Sequence, residues 1–306
     1  MKIKISQIIE KSQQFEIGNV SLLVELLPQA MLKEVIESTK AGEQRKRKLR
    51  TEWVIWICIV MAWLPRHSMS AVLAKLWQGI SLGWANPTAG MASASAITQA
   101  RYRVGVKPLE LLFKRLCRPM ATAETKGAFY QGMRLVAFDG TRETIADTPE
   151  NASYFGYNKN QIGAAAYPQL HAVYACELGT HLIFDVVVGK CYRGEHPMAC
   201  RLLRSIEADM LVMVDAGLSS YDLISGVLER DGQVLCRAHA SRKWTPVKYL
   251  KDGSFLAWMR PTDKSKDPHA EAILVRILRY TVHDENRPHH GQVQTLVTTL
   301  LDSDLF

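Results

Sequence analysis

The sequence predicts an α/β fold in its second part, preceded by an all-α first part. Two observations carry this reading. Apolar residues recur at helical intervals through residues 1–132. Short runs rich in Val, Ile and aromatics, the composition of half-buried strands, dominate residues 133–306. A chain of 306 residues, 47% hydrophobic, has the length for two domains of ordinary size, each with its own core. The reading is a helical N-terminal domain over 1–132 and an α/β domain over 133–306, with a β-rich stretch over 233–290.

In the first part, "SLLVELLPQAMLKEVIEST" is helical around Pro28, and "KAGEQRKRKLR" follows as a run of six cations ending at Arg50. "WVIWICIVMAWL" (Trp53–Leu64) is too short to cross a bilayer and reads as a buried core helix ended by Pro65. "SMSAVLAKLWQGI" is amphipathic, with Ser68 or Ser70 as N-cap. Ser93 or Ser95 caps a helix carrying Gln99, Arg101 and Arg103, and "KPLELLFKRLCRPM" is a further amphipathic helix with Pro108 in its first turn. Five of the seven tryptophans fall in this part, enough large side chains to organise a helical core.

In the second part the strands are "RLVAFD" (134–139), "LHAVYACE" (170–177), "HLIFDVVVG" (181–189) and "MLVMVD" (210–215). Gly179-Thr180 joins the middle two as a hairpin. Helices are predicted over 196–207 and 219–232, the latter capped by Ser219 or Ser220. Strand, strand pair, helix, strand, helix gives a sheet with both antiparallel and parallel neighbours. From Gln233 the pattern turns mostly β, and "QTLVTTLLD" (294–302) is a last strand.

Charge divides the chain in the same place. Residues 1–132 hold 19 Lys and Arg against 9 Glu and no Asp; residues 133–306 hold 19 against 21 acids, including all 13 aspartates. A basic first part suits a polyanion such as DNA, and an Asp-bearing second part suits hard cations such as Mg²⁺. The six cysteines are scattered with no C-x-x-C, which supports neither a zinc site nor a disulfide framework and implies a reducing cytoplasm. "MKIKISQIIEKSQQF" has no apolar core of a signal peptide.

Asp139 and Asp215 both close an apolar strand and both precede a glycine, in "AFDG" and "MVDAG". Sites in open α/β sheets gather beyond the carboxyl ends of strands, and two such carboxylates on neighbouring strands can share divalent cations. Alternatively, "DG" is a hairpin turn and "DAGLSS" ends a strand and caps a helix. Asp185, mid-strand in "LIFDVVVG", reads as a paired structural acid or an edge residue. Glu195 and His196 precede a helix, where Glu195 favours the positive N-terminus. His289-His290 lacks a third ligand at metal spacing and reads as a solvated loop.

At this point the chain resembles bacterial insertion-sequence transposases of the insertion-element-four group, in the DDE class. The resemblance runs the length of the chain. It rests on "RKRKLRTEWVIWICIVMAW" and "SASAITQARYRVGVKPLELLF" in the first part. In the second it rests on "LVAFDGTRETIADTPEN", "YPQLHAVYACELGTHLIFDVVVGKCYRGE", "LVMVDAGLSSYDL" and "QTLVTTLLD". It implies a ribonuclease-H-like catalytic core with a β-rich insertion, Asp139 and Asp215 as its first two catalytic and metal-holding acids, and two Mg²⁺ ions, with Mn²⁺ as a substitute. Ala216 departs from the polar residue that many relatives have there. Relatives carry the third acid in a Tyr-x2-Arg-x3-Glu-x6-Lys pattern, and none of the ten tyrosines here has Arg three residues on. Asp302 and Asp304 match no such spacing and read as terminal surface acids. The expectation is therefore a C-terminally truncated transposase, impaired or inactive as it stands.

The implied partners are transposon-end and target duplex DNA, with a homodimer or a heteromer with an intact transposase, in the cytoplasm at the nucleoid and with no membrane association. Lys46, Arg47, Lys48, Arg50, Arg101 and Arg103 are the candidate DNA contacts; Lys46–Arg50 also reads as a solvated linker, and Arg101 and Arg103 as surface salt-bridge residues. Two alternatives stay open: a DNA-binding remnant that inhibits an intact transposase without cutting, and an unrelated hydrolase or metal enzyme acting on small molecules.

Overall fold

The computed structural model describes residues 27–42, 45, 49–80, 92–160, 163–239, 241–261, 270–286 and 290–306. They fall into two compact units, Met1–Leu116 and Cys117–Phe306.

Every element described in the first unit is a helix. They are α1 (Gln29–Ser38), α2 (Thr51–Trp63), α3 (Met69–Ile80), α4 (Ala94–Val104) and α5 (Lys107–Leu116). Pro28 precedes α1, where a missing N–H costs nothing. Ser68 Oγ accepts from the Ala71 N–H at 3.2 Å and Ser93 Oγ from the Ala96 N–H at 3.2 Å, so the first of each pair of candidate caps is the one used. Helix α2 is apolar on all sides, and a helix of that kind needs cover on all sides. Its Trp53, Val54, Ile55, Trp56, Ile57 and Val60 are buried with Leu32 and Val35 of α1, Val72, Leu73 and Leu76 of α3, Ile97 and Ala100 of α4 and Leu112 of α5.

The second unit begins before the expected boundary at 132, because residues 117–132 are tied to its sheet. Strand β1 (Phe129–Tyr130) pairs antiparallel with β2 (Met133–Thr144). The fully buried Glu177 accepts from the backbone N–H groups of Met120 (3.2 Å) and Ala121 (3.0 Å), and it pairs with Arg134.

After β2 comes α6 (Pro149–Phe155), then a small separate ribbon of β3 (Lys159–Asn160) and β4 (Gly163–Ala164). The main sheet continues with β5 (Gln169–Glu177), β6 (Leu182–Lys190), β7 (Met210–Val214), β8 (Gln233–Arg237), β9 (Lys248–Tyr249), β10 (Phe255–Met259), β11 (Ile273–Thr281) and β12 (Val293–Thr298). Among the described residues its order is β6-β5-β2-β7-β8-β12-β11-β10-β9, with β1 beside β2. Strands β2, β7 and β8 are parallel; the other pairings are antiparallel. The stretch over 233–290 therefore extends the main sheet rather than building a sheet of its own. The last strand, β12, inserts between β8 and β11.

Helices α7 (Glu195–Leu202), continued by the short 3₁₀ turn Leu203–Ser205, and α8 (Tyr221–Leu228) cover one face. Their Met198, Ala199, Leu202, Leu223, Ile224 and Val227 bury Val136, Phe138, Val173, Val212, Val214 and Val234 of the sheet. A smaller cluster of Met133, Leu211 and Leu300 with Phe306 lies apart from that core.

Candidate active site

Asp139 and Gly140 are not a turn. Strand β2 runs through them to Thr144, paired with β5 from Val136↔Glu177 to Thr144↔Gln169, so Asp139 stands opposite Tyr174. On its other side β2 runs parallel to β7, with Arg134↔Met210, Leu135↔Leu211, Val136↔Val212 and Ala137↔Met213 in register. That ladder stops at Ala137 and Met213, and two residues further along the two chains stand Asp139 and Asp215. The two aspartates are thus at level positions on neighbouring parallel strands, whose axes lie about 4.8 Å apart in a sheet. Both side chains are exposed, although Phe138 and Val214 just before them are buried.

Each aspartate is oriented by a nearby amide. The Gly140 N–H donates to Asp139 Oδ1 at 2.8 Å and the Leu218 N–H to Asp215 Oδ1 at 3.0 Å. The second bond closes the turn that carries the chain from β7 to α8, whose N-cap Ser220 accepts from the Leu223 N–H at 3.2 Å. Among the described residues, Oδ2 of each aspartate accepts no hydrogen bond. Exposed hard oxygens of this kind fit a Mg²⁺- or Mn²⁺-type cation, which takes one or two carboxylates together with water or phosphate oxygens. Among the described residues, no three His, Cys, Asp or Glu side chains are already grouped as a metal cage.

Sequence reasoning assigned Glu195 to the dipole of its helix, and the structure adds a close neighbour. A Cβ on Gly140 would lie 1.9 Å from Glu195 Oε1, so the carboxyl group of Glu195 occupies the space that every other residue type at position 140 would fill. Next to it, His196 Nε2 makes a short contact with Ser220 Oγ, and Cys200 Sγ lies 3.7 Å from the same nitrogen. The start of α7, which carries Glu195, is thereby tied to the N-cap of α8, just beyond Asp215. Gly140 directly after the acid was the one sequence signal of this close approach, and the turn chemistry of "DG" masks it.

The remaining candidates separate cleanly. Asp185 is the paired structural acid: Arg204 donates to it through Nε (2.8 Å) and Nη2 (2.6 Å), and Ser205 Oγ through a 2.5 Å bond. A β-bulge opposite Ala175 and Cys176 interrupts the alternation of β6, so Phe184 and Asp185 are both buried. Asp302 and Asp304 are exposed, as surface acids are expected to be. His290 bridges to Val282, and His289 lies outside the described residues. Of the DNA candidates, Lys46, Arg47 and Lys48 also lie outside the described residues, while Arg50 is exposed at the N-cap position of α2. Arg101 and Arg103 are exposed on the last turn of α4, where Arg101 Nη1 contacts Met69 Sδ at 3.7 Å and Arg103 Nη2 donates to the Leu49 carbonyl at 2.8 Å. All six cysteines are free; Cys191 and Cys236 are buried, and burial pushes the Cys236 thiol up to about 11.

Comparison with known proteins places these features in one family. Residues 17–114 match the model of the insertion element 4 transposase N-terminal region, and residues 130–300 match that of the transposase DDE domain. InsZ of Escherichia coli (strain K12) is 27% identical over 209 residues, 67% of each chain. InsG of the same strain, the transposase for insertion sequence element IS4, is 28% identical over 267 residues, 86% of this chain and 58% of its own length. Among solved structures, the cryo-EM structure of a piggyBac transposase synaptic complex with hairpin DNA overlaps 96% of this chain and 63% of its own, with a TM-score of 0.45 and 11% identity. With both halves matched in order, the chain belongs to the DDE transposases of the insertion element 4 group.

Proposed function

We propose that this chain works as an insertion-sequence transposase, with residues 117–306 as a ribonuclease-H-like unit for phosphoryl transfer on DNA. The observation that carries the reading is the level placement of Asp139 and Asp215 at the ends of parallel neighbours β2 and β7. When bound there, divalent cations activate an attacking oxygen and stabilise the leaving oxygen of a phosphodiester. Mg²⁺ is the cation proposed, with Mn²⁺ as substitute.

The protein's own part is positioning. The β2–β5 ladder fixes the backbone of Asp139 on both sides of the residue. The Gly140 and Leu218 amides each hold one carboxylate oxygen and leave the other directed elsewhere. Exposure of both acids gives a duplex phosphate room to approach them. The helical first unit is proposed to hold transposon-end DNA, with Lys46, Arg47, Lys48, Arg50, Arg101 and Arg103 on phosphates, which position a duplex without reading its sequence. The cytoplasm and its nucleoid are the corresponding place of action.

The test is cleavage of a labelled transposon-end duplex, in Mg²⁺ or Mn²⁺. Strand cleavage is expected to require the cation and to fall about 100-fold or more in Asp139→Asn and Asp215→Asn, since each removes a charged ligand. Equal cleavage by parent and both variants would overturn the assignment.

A further inference from the structure

We infer that Tyr154, Lys190 and Tyr192 form a stacking site for unpaired bases of a DNA strand that passes the Asp139–Asp215 acids. The inference rests on the DNA-processing reading above and adds a binding site to it.

The first support is the arrangement of the rings. Tyr154 belongs to α6 and Tyr192 to the turn after β6. Lys190, the last residue of β6, holds its Nζ over both, 5.7 Å from one ring centre and 5.8 Å from the other. The two tyrosines are 62% and 72% exposed. One exposed tyrosine calls for no explanation. Two from separate elements, gathered on one ammonium, present flat apolar faces beside a cation. Among the described residues no carboxylate forms an ion pair with Lys190. A nucleic-acid strand offers a ring face and a phosphate at each step, and this cluster has a partner for both.

The second support is how the rings are held. Helix α6 buries none of its residues, so core packing does not account for it. It is nevertheless firmly built. Thr148 Oγ1 accepts from the Asn151 N–H at 3.2 Å, and the Cys191 N–H donates to the Phe155 carbonyl at 3.0 Å, tying the end of α6 to the turn that carries Tyr192. The Tyr154 ring meets Phe155 edge-on, with centres 4.8 Å apart. Gly156 has φ +80°, and a Cβ there would lie 3.5 Å from Tyr192 Cε1, so the Tyr192 ring rests against bare backbone. Rings set in place before a ligand arrives lose less freedom when it binds.

The third support is location. Asp139 stands opposite Tyr174, and Tyr174 opposite Val186. Val186, Val188 and Lys190 share one side of β6, so Lys190 lies on the Asp139 side of the sheet, away from α7 and α8. At about 3.3 Å per residue along a strand and about 4.8 Å between strands, the backbones of Asp139 and Lys190 are about 16 Å apart. That is about five steps of a DNA strand at about 3.4 Å each. A strand with one phosphate at the acids therefore reaches the rings within a few nucleotides. The exposed Glu143 stands on the same side, two strands from Lys190. It keeps the patch from being broadly cationic, which leaves ring faces rather than surplus charge to carry recognition.

The experiment is binding of the full chain to a fluorescent oligothymidylate and to a duplex of the same length, followed by anisotropy in EDTA so that no strand is cut. Tyr154→Ala and Tyr192→Ala are each expected to weaken oligothymidylate binding by about tenfold, the scale of one lost base stack, and to leave duplex binding unchanged. Tyr154→Phe and Tyr192→Phe keep the ring and are expected to bind as the parent does. Lys190→Gln should flatten the salt slope for the oligothymidylate by about 0.7, while the alanine variants leave that slope alone. Tyr249→Ala is the control, an equally exposed tyrosine on β9 at the opposite edge of the sheet. Melting curves show whether each variant is folded; should an alanine variant not fold, the leucine variant, apolar but without a flat face, takes its place. Parent-like oligothymidylate binding in both alanine variants, or equal losses for oligothymidylate and duplex, would overturn the stacking site. So would a parent that binds the duplex alone. A parent that binds neither form of DNA would overturn the reading beneath it, which the cation-dependent cleavage test checks without using the rings.

Discussion

Asp185 and Asp139 are both strand aspartates, and their surroundings give them opposite uses. Burial pushes the Asp185 carboxyl up, but hydrogen bonds from Arg204, Ser205 and the Val186 N–H outweigh it and hold the group below the ordinary carboxylate range. A depressed folded-state pKa stabilises above the unfolded value, and that contribution is lost as pH falls through the folded one. Asp185→Asn is therefore expected to cost about 1–2 kcal/mol at neutral pH, because the buried carboxylate's charge-assisted hydrogen bonds are lost while the exposed Arg204 is rehydrated. The difference from the parent, read by urea unfolding, should narrow below about pH 4, where the parent begins to protonate when unfolded. Asp252 follows the same sign: hydrogen bonds from Ser254 and then Arg276 hold it down to about 2. Its support to the fold should be intact at pH 5 and fade between about pH 4 and pH 2. At this scale the sequence was informative wherever a residue's neighbours are local. A mid-strand acid needs a partner, so Asp185 was readable as paired. The partner itself was not, since Arg204 lies beyond an entire helix. Glu195 does stand in the first turn of its helix, as read, but its closeness to Gly140 was hidden for the same reason: it is made by packing of α7 on β2, not by anything adjacent in the chain.

Capping separates what an element needs from what its sequence merely permits. Ser93 accepts the Ala96 N–H at the start of α4. Ser93→Ala is expected to lower stability by about 1 kcal/mol, whereas Ser95→Ala, already inside the helix, should change it by a few tenths at most and in either direction. Equal losses in thermal melts would contradict the cap. Gly226 in α8 makes a related point about packing. Gly to Ala inside a helix ordinarily gains about 1 kcal/mol of propensity. Here a Cβ would lie 2.4 Å from Leu203 Cδ1, and Leu203 is buried under the helix. Gly226→Ala is therefore expected to destabilise by about 1–3 kcal/mol, the range for overfilled cores. The amphipathic and apolar helices of the first unit, and the cores of the strands, were readable because periodicity reports burial directly. Other elements escaped, two of them instructively. Helix α6 has its signals in place, with Thr148 as cap, Pro149 at the first turn and Gly156 after its end, but the element buries nothing and so leaves no apolar period. The second half of β2 was hidden by "DG", whose local preference for a turn is overridden by continuous pairing with β5.

Across the whole molecule, the order of strands was the least legible feature. Local pattern gives the strands, but not that β12 enters beside β8 with the β9–β11 meander outside it, because pairing partners are chosen by long-range packing. The same region shows how its end is fastened. The buried Arg276 donates to Asp252 at 2.5 Å, to Ser254 at 2.8 Å and to the Phe306 carbonyl at 2.9 Å, so one guanidinium joins the meander to the last residues. Charge distribution, by contrast, was readable in full from the sequence, and it leads to a prediction about binding. A surplus of cations in residues 1–132 makes affinity for duplex DNA an electrostatic matter. Each phosphate contact contributes about −0.9 to the slope of log K against log salt. Replacing Lys46, Arg47 and Lys48 together by Gln should flatten that slope by about 2.7 if all three touch phosphates. Arg103→Gln should behave differently. It loses the bond to the Leu49 carbonyl, so melting should fall whether or not the DNA slope changes. Anisotropy titrations from 50 to 200 mM salt, paired with melting curves, separate the two effects. An unchanged slope in the triple variant would mean that the cationic run is solvated linker and that DNA contacts lie elsewhere.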